Sequence, residues 1–371
     1  MKTTKSTIRF SGMLAILVLA LGPIASVAKA DFTFGEPTNL GPTINSSHQE
    51  YVLCISSDGM SLYFESDRPG GYGGSDIWIS TKQTTERNPE GYWSEPQNLG
   101  PKVNSSSDDW GSSLSFDGLE LYFCSNRPGG HGSYDLYLTK RDSVSEPWDL
   151  SMNLGLPVNS QYSEVSPNIS SDGLSLFFSG TDSAGVPHRP GGYGQADIWV
   201  TTRVRMSDPW NPPANLGPEI NTTQHDLDPS ISSDSLVLFF GRGSYSVADI
   251  WLTKRNTYDA PWTDAVKLSP TVNSSRWEGT PYISTDGMTL YFSRSGGFGS
   301  VDIYQVPVIP IVDLNGDGIV DSADMCIIVD HWGTDEPLCD VGPMPWGDGI
   351  VDVQDLIVLA EHLFEEIPPV E

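Results

Sequence analysis

The sequence predicts an all-β fold of five blades closed into a ring, followed by a small helical module. Three observations carry that prediction. The stretch Ser57 to Trp78, SDGMSLYFESDRPGGYGGSDIW, returns in four variants before residue 310: FDGLELYFCSNRPGGHGSYDLY from Phe116, SDGLSLFFSG from Ser171, SDSLVLFFGRG from Ser233 and TDGMTLYFSRSGGFG from Thr285. A second signature, an aromatic followed by Pro-rich sequence and NLGPxxN, recurs at Phe34 to Asn45, Trp93 to Asn104, Trp148 to Asn159, Trp210 to Asn221 and Trp262 to Asn273. Composition then changes abruptly, because Ile311 to Glu371 contains no Lys or Arg.

Each copy of the first unit joins an Asp-Gly-type turn, a short aromatic strand, a Gly-rich turn and a second strand ending on an aromatic. Self-similarity of this kind marks a repeat architecture, and no segment before residue 310 shows helical periodicity. The two signatures are out of step by one: the first NLGPxxN segment precedes its SDG unit, and nothing equivalent follows Tyr304. In a blade of four strands, A to D, the orphan N-terminal segment therefore supplies the outermost strand of the last blade. That closes the ring and removes exposed sheet edges, which describes a five-bladed β-propeller.

Around this ring, Met1 to Ala30 has Lys2, Lys5 and Arg9, the apolar run Met13 to Leu21 and a small-residue Ala28-Lys29-Ala30 end, the pattern of a secretory signal. Its apolar core is shorter than the roughly 20 residues that span a bilayer, so the mature chain is expected to be soluble and exported, secreted or periplasmic. Losing the segment's four basic residues and no acids takes the formal charge from −28 to −32. Such a surface repels nucleic acid and anionic lipid. The four cysteines permit disulfides without forming a dense framework. Cys326 and Cys339 are close enough in sequence to bridge, whereas Cys54 and Cys124, in apolar strands of neighbouring repeats, read as buried free thiols.

With the SxDG turn, the LYF strand and the DIW strand in view, residues 34 to 306 resemble the WD-repeat-like (PD40) repeats of TolB-type periplasmic propellers. Those propellers have six blades, and this chain has five repeats. Eight positions before each turn Asp stands an acid, Glu50, Asp109, Glu164, Asp226 or Glu278, at the start of the innermost strand. All five are expected to ring the mouth of the central channel. On the same face lie Arg68, Arg127, Arg189, Arg242 and Arg294, the acids Asp76, Asp135, Asp197, Asp249 and Asp302, and the rings Tyr72, His131, Tyr193, Tyr245 and Phe298. One reading makes this face a saccharide site; the other has Arg and Asp pairing to tie each turn to its blade while the aromatics fill gaps between blades. The third repeat breaks the symmetry with an insertion, Thr181 to His188.

After a Pro-punctuated segment, 307–312, read as a linker, the module from 313 to 371 opens on DLNGDGIVDSAD. Asp313, Asn315, Asp317, Asp321 and Asp324 fall at positions 1, 3, 5, 9 and 12 of an EF-hand-type calcium loop, Gly318 at position 6, and Ile319 supplies the position-7 carbonyl. A second loop ends GDGIVDVQD, with Asp348, Ile350, Asp352 and Asp355 as candidate ligands, but Met344 and Trp346 stand at its first two ligand positions. Asp340 substitutes only if the intervening residues bulge. Apolar residues at helical spacing follow each loop. Two calcium loops, each followed by a helix, resemble a type I dockerin. The resemblance implies bound Ca2+, a cohesin-like partner and a role in polysaccharide breakdown.

The sequence thus reads as an exported propeller that binds a glycan or protein and is tethered by a dockerin-like module. Five-bladed propellers also scaffold glycoside hydrolases such as arabinanases, which gives the alternative of a hydrolase using the channel-mouth carboxylates. Against it, a ring of five similar acids does not supply the unequal pair that such chemistry requires.

Overall fold

The computed structural model describes residues 32–85, 87–181, 189–244, 246–315, 317–334, 336, 339–342 and 350–365. The segment read as a secretory signal and most of the third-repeat insertion, 182–188, lie outside them, as do Tyr245 and the stretch 343–349. The fold is mostly β, with two short C-terminal helices.

Five antiparallel meanders follow one another along the chain. Blade 1 has strands A to C at Glu50–Ile55, Ser61–Ser66 and Asp76–Thr85, and a two-residue strand D at Gln97–Asn98. Blade 2 runs Asp109–Leu114, Glu120–Ser125, Asp135–Lys140 and Met152–Asn153. Blade 3 runs Ser163–Ile169, Ser175–Thr181, Ala196–Thr202 and Ala214–Asn215, and blade 4 His225–Ile231, Val237–Ser244, Val247–Lys254 and Val266–Lys267. Blade 5 has Glu278–Ile283, Thr289–Ser295 and Val301–Pro310. Its outer edge comes from the N-terminus: Phe32–Phe34 pairs with Val308 to Pro310, and Thr38–Asn39 with Tyr304 and Gln305. The A strands neighbour one another in the cycle 1-2-3-4-5-1, so the ring is closed as in a β-propeller.

The repeat signatures have physical causes. In the SDG turn, Ser56 Oγ donates to Asp58 Oδ1 at 2.6 Å, the Asp accepts from Met60 N, and Gly59 takes φ +70°. Blade 4 places Ser235 at that position with φ +64°, a conformation that Gly adopts without strain. In NLGPxxN the closing Asn clamps strand C: Asn104 Oδ1 accepts from Ile77 N at 3.0 Å and its Nδ2 donates to Ile77 O at 2.9 Å. The aromatic strands are sealed on both faces because blades stack face to face. Tyr63 and Phe64, adjacent and on opposite faces, are both fully buried. Five apolar clusters fill the five inter-blade spaces, for example Ile44, Val52, Phe64 and Trp78 of the blade 1 side against Tyr291 and Ile303 of blade 5.

Two expectations are corrected. The segment read as a linker, 307–312, is strand C of blade 5 as far as Pro310, held there because the N-terminal strand pairs with it and Val308 is buried. Cys326 and Cys339 do not bridge: all four cysteines are free, Cys326 exposed on its helix and Cys339 turned into the apolar core. Cys54 and Cys124 are buried thiols, as read.

The C-terminal segment has its own core, including Val320, Ile328, Val351 and Leu359. Helix α1 (Ser322–Asp330) starts on Asp321 and helix α2 (Val353–Glu361) on Asp352, each through a capping box closed by the acid three residues on, Asp324 or Asp355.

Candidate functional site

None of the five channel-mouth acids lines the central cavity. Glu50, Asp109, Glu164, Asp226 and Glu278 are all 0 % exposed and are absent from the cavity lining. Each is paired with the Arg of its own blade, Arg68 Nη2 to Glu50 Oε1 at 3.0 Å, Arg127 to Asp109, Arg189 to Glu164 at 3.1 Å, Arg242 to Asp226 at 2.6 Å and Arg294 to Glu278 at 2.9 Å. A hydroxyl four residues upstream donates to each acid, as Ser46 Oγ does to Glu50 at 2.6 Å. The guanidinium lies against two rings of its blade, Phe64 and Trp78 around Arg68 and their counterparts in the other four. Burial still pushes the Glu164 carboxyl above the ordinary value, against the pull of Ser160 and Arg189. The repeated Arg and acid are thus a blade latch.

The second set of acids is also structural, but not as the partner of Arg. Asp76 accepts from the amides of Tyr72 and Gly73 and from Asn98 Nδ2, and Asp135 and Asp302 do the same in their blades. In blade 4, Asp249 instead pairs with Lys267. The turn rings do not fill gaps: Tyr72, Tyr193 and Phe298 are each about half exposed at the turn tips.

The cavity itself has a volume of about 730 Å³ and is lined by residues of all five blades. Its wall is made where strand A bulges. The pairing of strands A and B shifts register after Val52, Trp110, Val165, Leu227 and Gly279, and a bulge re-aims side chains. In four blades the re-aimed residue has positive φ: Gly111 +58°, Ser166 +50°, Asp228 +56° and Thr280 +45°. Such conformations in non-Gly residues are sparsely populated, and most costly for a β-branched one. Tyr51 and Trp110 line the cavity with Trp277, Tyr134 and Tyr282. Tyr51 meets Trp277 edge-on at 5.9 Å and Trp110 meets Tyr134 at 5.4 Å.

Two carboxylates absent from the sequence-derived set face this cavity, Glu65 on strand B of blade 1 and Asp228 at the bulge of blade 4. Burial pushes Glu65 up to about 8; Asp108, Asp228 and Asp67 push the same way, and the Ser75 hydroxyl bond opposes them. Although deep in the molecule, Glu65 keeps some surface, and that surface is the cavity wall. Asp228 is also raised by burial, opposed by the Ser166 hydroxyl, which donates to Oδ1 at 2.6 Å, and by the Thr280 amide. Its own amide is held by Ser179 Oγ at 3.0 Å. The signal for both was present in the repeats as a departure from them. Glu65 aligns with Cys124, Ser179, Gly241 and Ser293, and Asp228 with Val52, Gly111, Ser166 and Thr280.

In the C-terminal segment, the Asp313 carboxylate accepts from Asp317 N and Gly318 N, Asn315 Oδ1 from Asp317 N, and Asp317 Oδ1 from Ile319 N. Gly318 has φ +87°. Asp324 is buried and accepts from the amides of Leu314, Asn315 and Asp321. Asp355 accepts in the same way from Val341, Gly342 and Asp352. That correspondence puts Asp340, not Met344, at the place of Asp313, with four extra residues between it and Asp355. Asp348 lies outside the described residues; Ile350 is exposed and Asp352 caps α2. The donors are the hard oxygens calcium prefers. Among the described residues, no three His, Cys, Asp or Glu side chains converge as ligands to a metal would.

No family model matches the chain, and no curated protein does. Solved structures similar to it include TolB from Acinetobacter baumannii (12% identity, 69% of this chain and 54% of that chain, TM-score 0.40). The α-L-arabinofuranosidase from Lactobacillus brevis is similar at 15% identity over 72% of this chain and 92% of that one, TM-score 0.46. The endo-arabinase from Bacteroides thetaiotaomicron is similar at 13% identity over 75% and 97%, TM-score 0.44. The chain thus spans about half the length of that TolB. What it shares with TolB-type and glycoside hydrolase propellers is a fold likeness alone.

Proposed function

We propose that this chain is an exported five-bladed propeller that binds a glycan in its central cavity. Its C-terminal segment is then a calcium-dependent, dockerin-like module that tethers it to a cohesin-like partner. The observation that supports the binding reading best is the cavity: its volume of about 730 Å³ lies within the ordinary range for ligand sites, and its wall combines Trp and Tyr rings with many hydroxyl, amide and carboxyl side chains. Sugar rings present apolar faces that stack on Trp and Tyr, and hydroxyls that carboxylates accept. The exposed tips Tyr72, Tyr193 and Phe298 extend such stacking surface outside it. For the tail, the support is the spacing of Asp313, Asn315, Asp317, Asp321 and Asp324 and the repetition of its amide pattern at Asp355.

A glycoside hydrolase is the second reading, now resting on Glu65 and Asp228 rather than on the latch acids. It is favoured by one observation: the two carboxylates share a cavity, and Glu65, pushed up to about 8 by burial, is suited to the role of the acid. A binding and cleavage screen of the mature protein against oligosaccharides separates the readings. Saturable binding without new reducing ends supports the binding protein. Cleavage lost in Glu65→Gln supports the hydrolase, and no binding to any saccharide overturns both.

A further inference from the structure

The cavity has a charge imbalance that the rest of the propeller avoids. Each latch acid has its own guanidinium, yet no Lys or Arg is among the residues described as lining the cavity, where Glu65 and Asp228 stand. Their partners are neutral: the Ser75 hydroxyl for Glu65, and the Ser166 hydroxyl and Thr280 amide for Asp228. A carboxylate taken out of bulk water without a countercharge is expensive. It must hold a proton or meet a cation, His225 on the same wall or one brought from outside.

Packing does not account for these acids. The four repeats that lack Glu65 fill its position with Cys, Ser, Gly and Ser. Asp228 is held in a strained conformation, φ +56°, that turns its side chain to the cavity. Burial, and after it Glu65, Asp228 and Asp67, push the Tyr51 hydroxyl on the same wall up to about 12. Around them stand Trp110, Trp277 and Tyr51, rings whose faces attract cations. A calcium or magnesium ion asks for six or more oxygen ligands; two carboxylates beside indole and phenol rings suit an organic cation instead. The formal charge of −32 that follows from losing the signal segment's four basic residues repels anionic glycans and draws cationic ones.

We propose that the cavity recognises the protonated amine of an amino sugar unit, with the ammonium held by Glu65 and Asp228 and the sugar ring stacked on Trp110 or Trp277. This rests on the glycan-binding reading above and names its substrate class. Burial keeps Glu65 protonated in the empty cavity, with Asp228, Asp108 and Asp67 acting in the same direction, so an arriving ammonium displaces that proton into solvent.

The test is calorimetric titration of the mature chain, at a pH where the amine is charged, with three probes: a glucosamine tetramer, its neutral N-acetylated counterpart and a tetra-uronate. The glucosamine tetramer is expected to bind about tenfold or more tighter than the neutral one, an advantage of the size that a desolvated cation–π and ion contact confers. The uronate should not bind. Binding should release a proton, seen as a buffer-dependent heat. Glu65→Gln and Asp228→Asn should each erase the preference, and Asn tolerates the positive φ at 228. Equal or tighter binding of the neutral tetramer overturns the inference and leaves the glycan reading standing, whereas no binding of any saccharide overturns both. Binding of tetralysine in place of the glucosamine tetramer overturns it in favour of a basic peptide.

Discussion

Asn45 fastens the N-terminus of the propeller to its last blade: Ile303 N donates to Asn45 Oδ1 at 2.8 Å, and Asn45 Nδ2 donates to Ile303 O at 3.0 Å. The same two-bond clamp joins Asn104 to Ile77, Asn159 to Leu136, Asn221 to Ile198 and Asn273 to Ile250, but only the first spans 258 residues of chain. Asn45→Ala leaves the buried N–H of Ile303 unsatisfied, at about 1 to 3 kcal/mol, while Ile303 O keeps the Leu40 amide at 3.1 Å. For a domain of this size that lowers Tm by roughly 2 to 12 °C. Deleting 32–40 adds the loss of the outer strand and exposes an edge, so it should also cause aggregation. A deletion variant with unchanged Tm and solubility would show that ring closure does not depend on this segment.

A second prediction concerns how each turn meets the next blade. A Cβ on Gly132 would lie 1.6 Å from Tyr162 O, and one on Gly73 1.8 Å from Ser107 O. Gly129, three residues before Gly132, has open space around it and only a positive φ, +97°. Gly129→Ala should therefore cost about 1 to 2 kcal/mol of backbone strain, while Gly132→Ala must force two blades apart and cost more. Thermal melts of the two variants decide it, and equal losses would refute the steric account.

The register of the tail gives a third. If Asp340 stands in the second loop where Asp313 stands in the first, the full-length protein should take up two calcium ions. Asp340→Ala and Asp313→Ala should each leave one. Calcium should also slow amide exchange around 314–325, since metal binding and folding are coupled in such loops. Titration calorimetry with calcium alone reads the count. A stoichiometry of one in the wild type, unchanged in Asp340→Ala, would remove Asp340 from the ligand set.

How much of this was legible in the sequence depended on whether a feature repeats. The blades, the SDG turns and the N-terminal closing strand repeat or complete a repeat, and all three follow from pattern alone. The latch acids repeat too, and that is why they misled. Five equivalent carboxylates suggest a ring around an axis, but each, at the head of strand A, is buried against an Arg of its own blade 16 to 25 residues later. The cavity wall is set by bulges, which strand alternation does not foresee, because an extra residue re-aims the side chains beyond it. Glu65 and Asp228 are single departures from the consensus, and a reading built on what the repeats share passes over them.

The last prediction follows from the cost of keeping Glu65 where it is. Its folded-state pKa is raised from 4.5 to about 8, chiefly by burial, so the folded protein holds a proton that the unfolded chain gives up. The sign is therefore opposite to that of a salt-bridged acid: the stability contribution is full below pH 4.5 and is lost as pH rises toward 8. Asp228, raised as well by burial, works in the same direction. Because the Glu65 carboxyl keeps contact with the cavity, the loss is a few kcal/mol at most. Glu65→Gln keeps the shape and removes the titration. It should melt at a higher temperature than the wild type at pH 8, by several degrees, and at about the same temperature at pH 4.5. Glu50→Gln provides the contrast, since it breaks the buried pair with Arg68 and should destabilise by about 3 to 5 kcal/mol. Melting curves at the two pH values test both variants. A Glu65→Gln protein that is less stable than wild type at pH 8 would mean that this carboxylate is ionised and favourably held in the fold, and the account of an uncompensated cavity acid would fall with it.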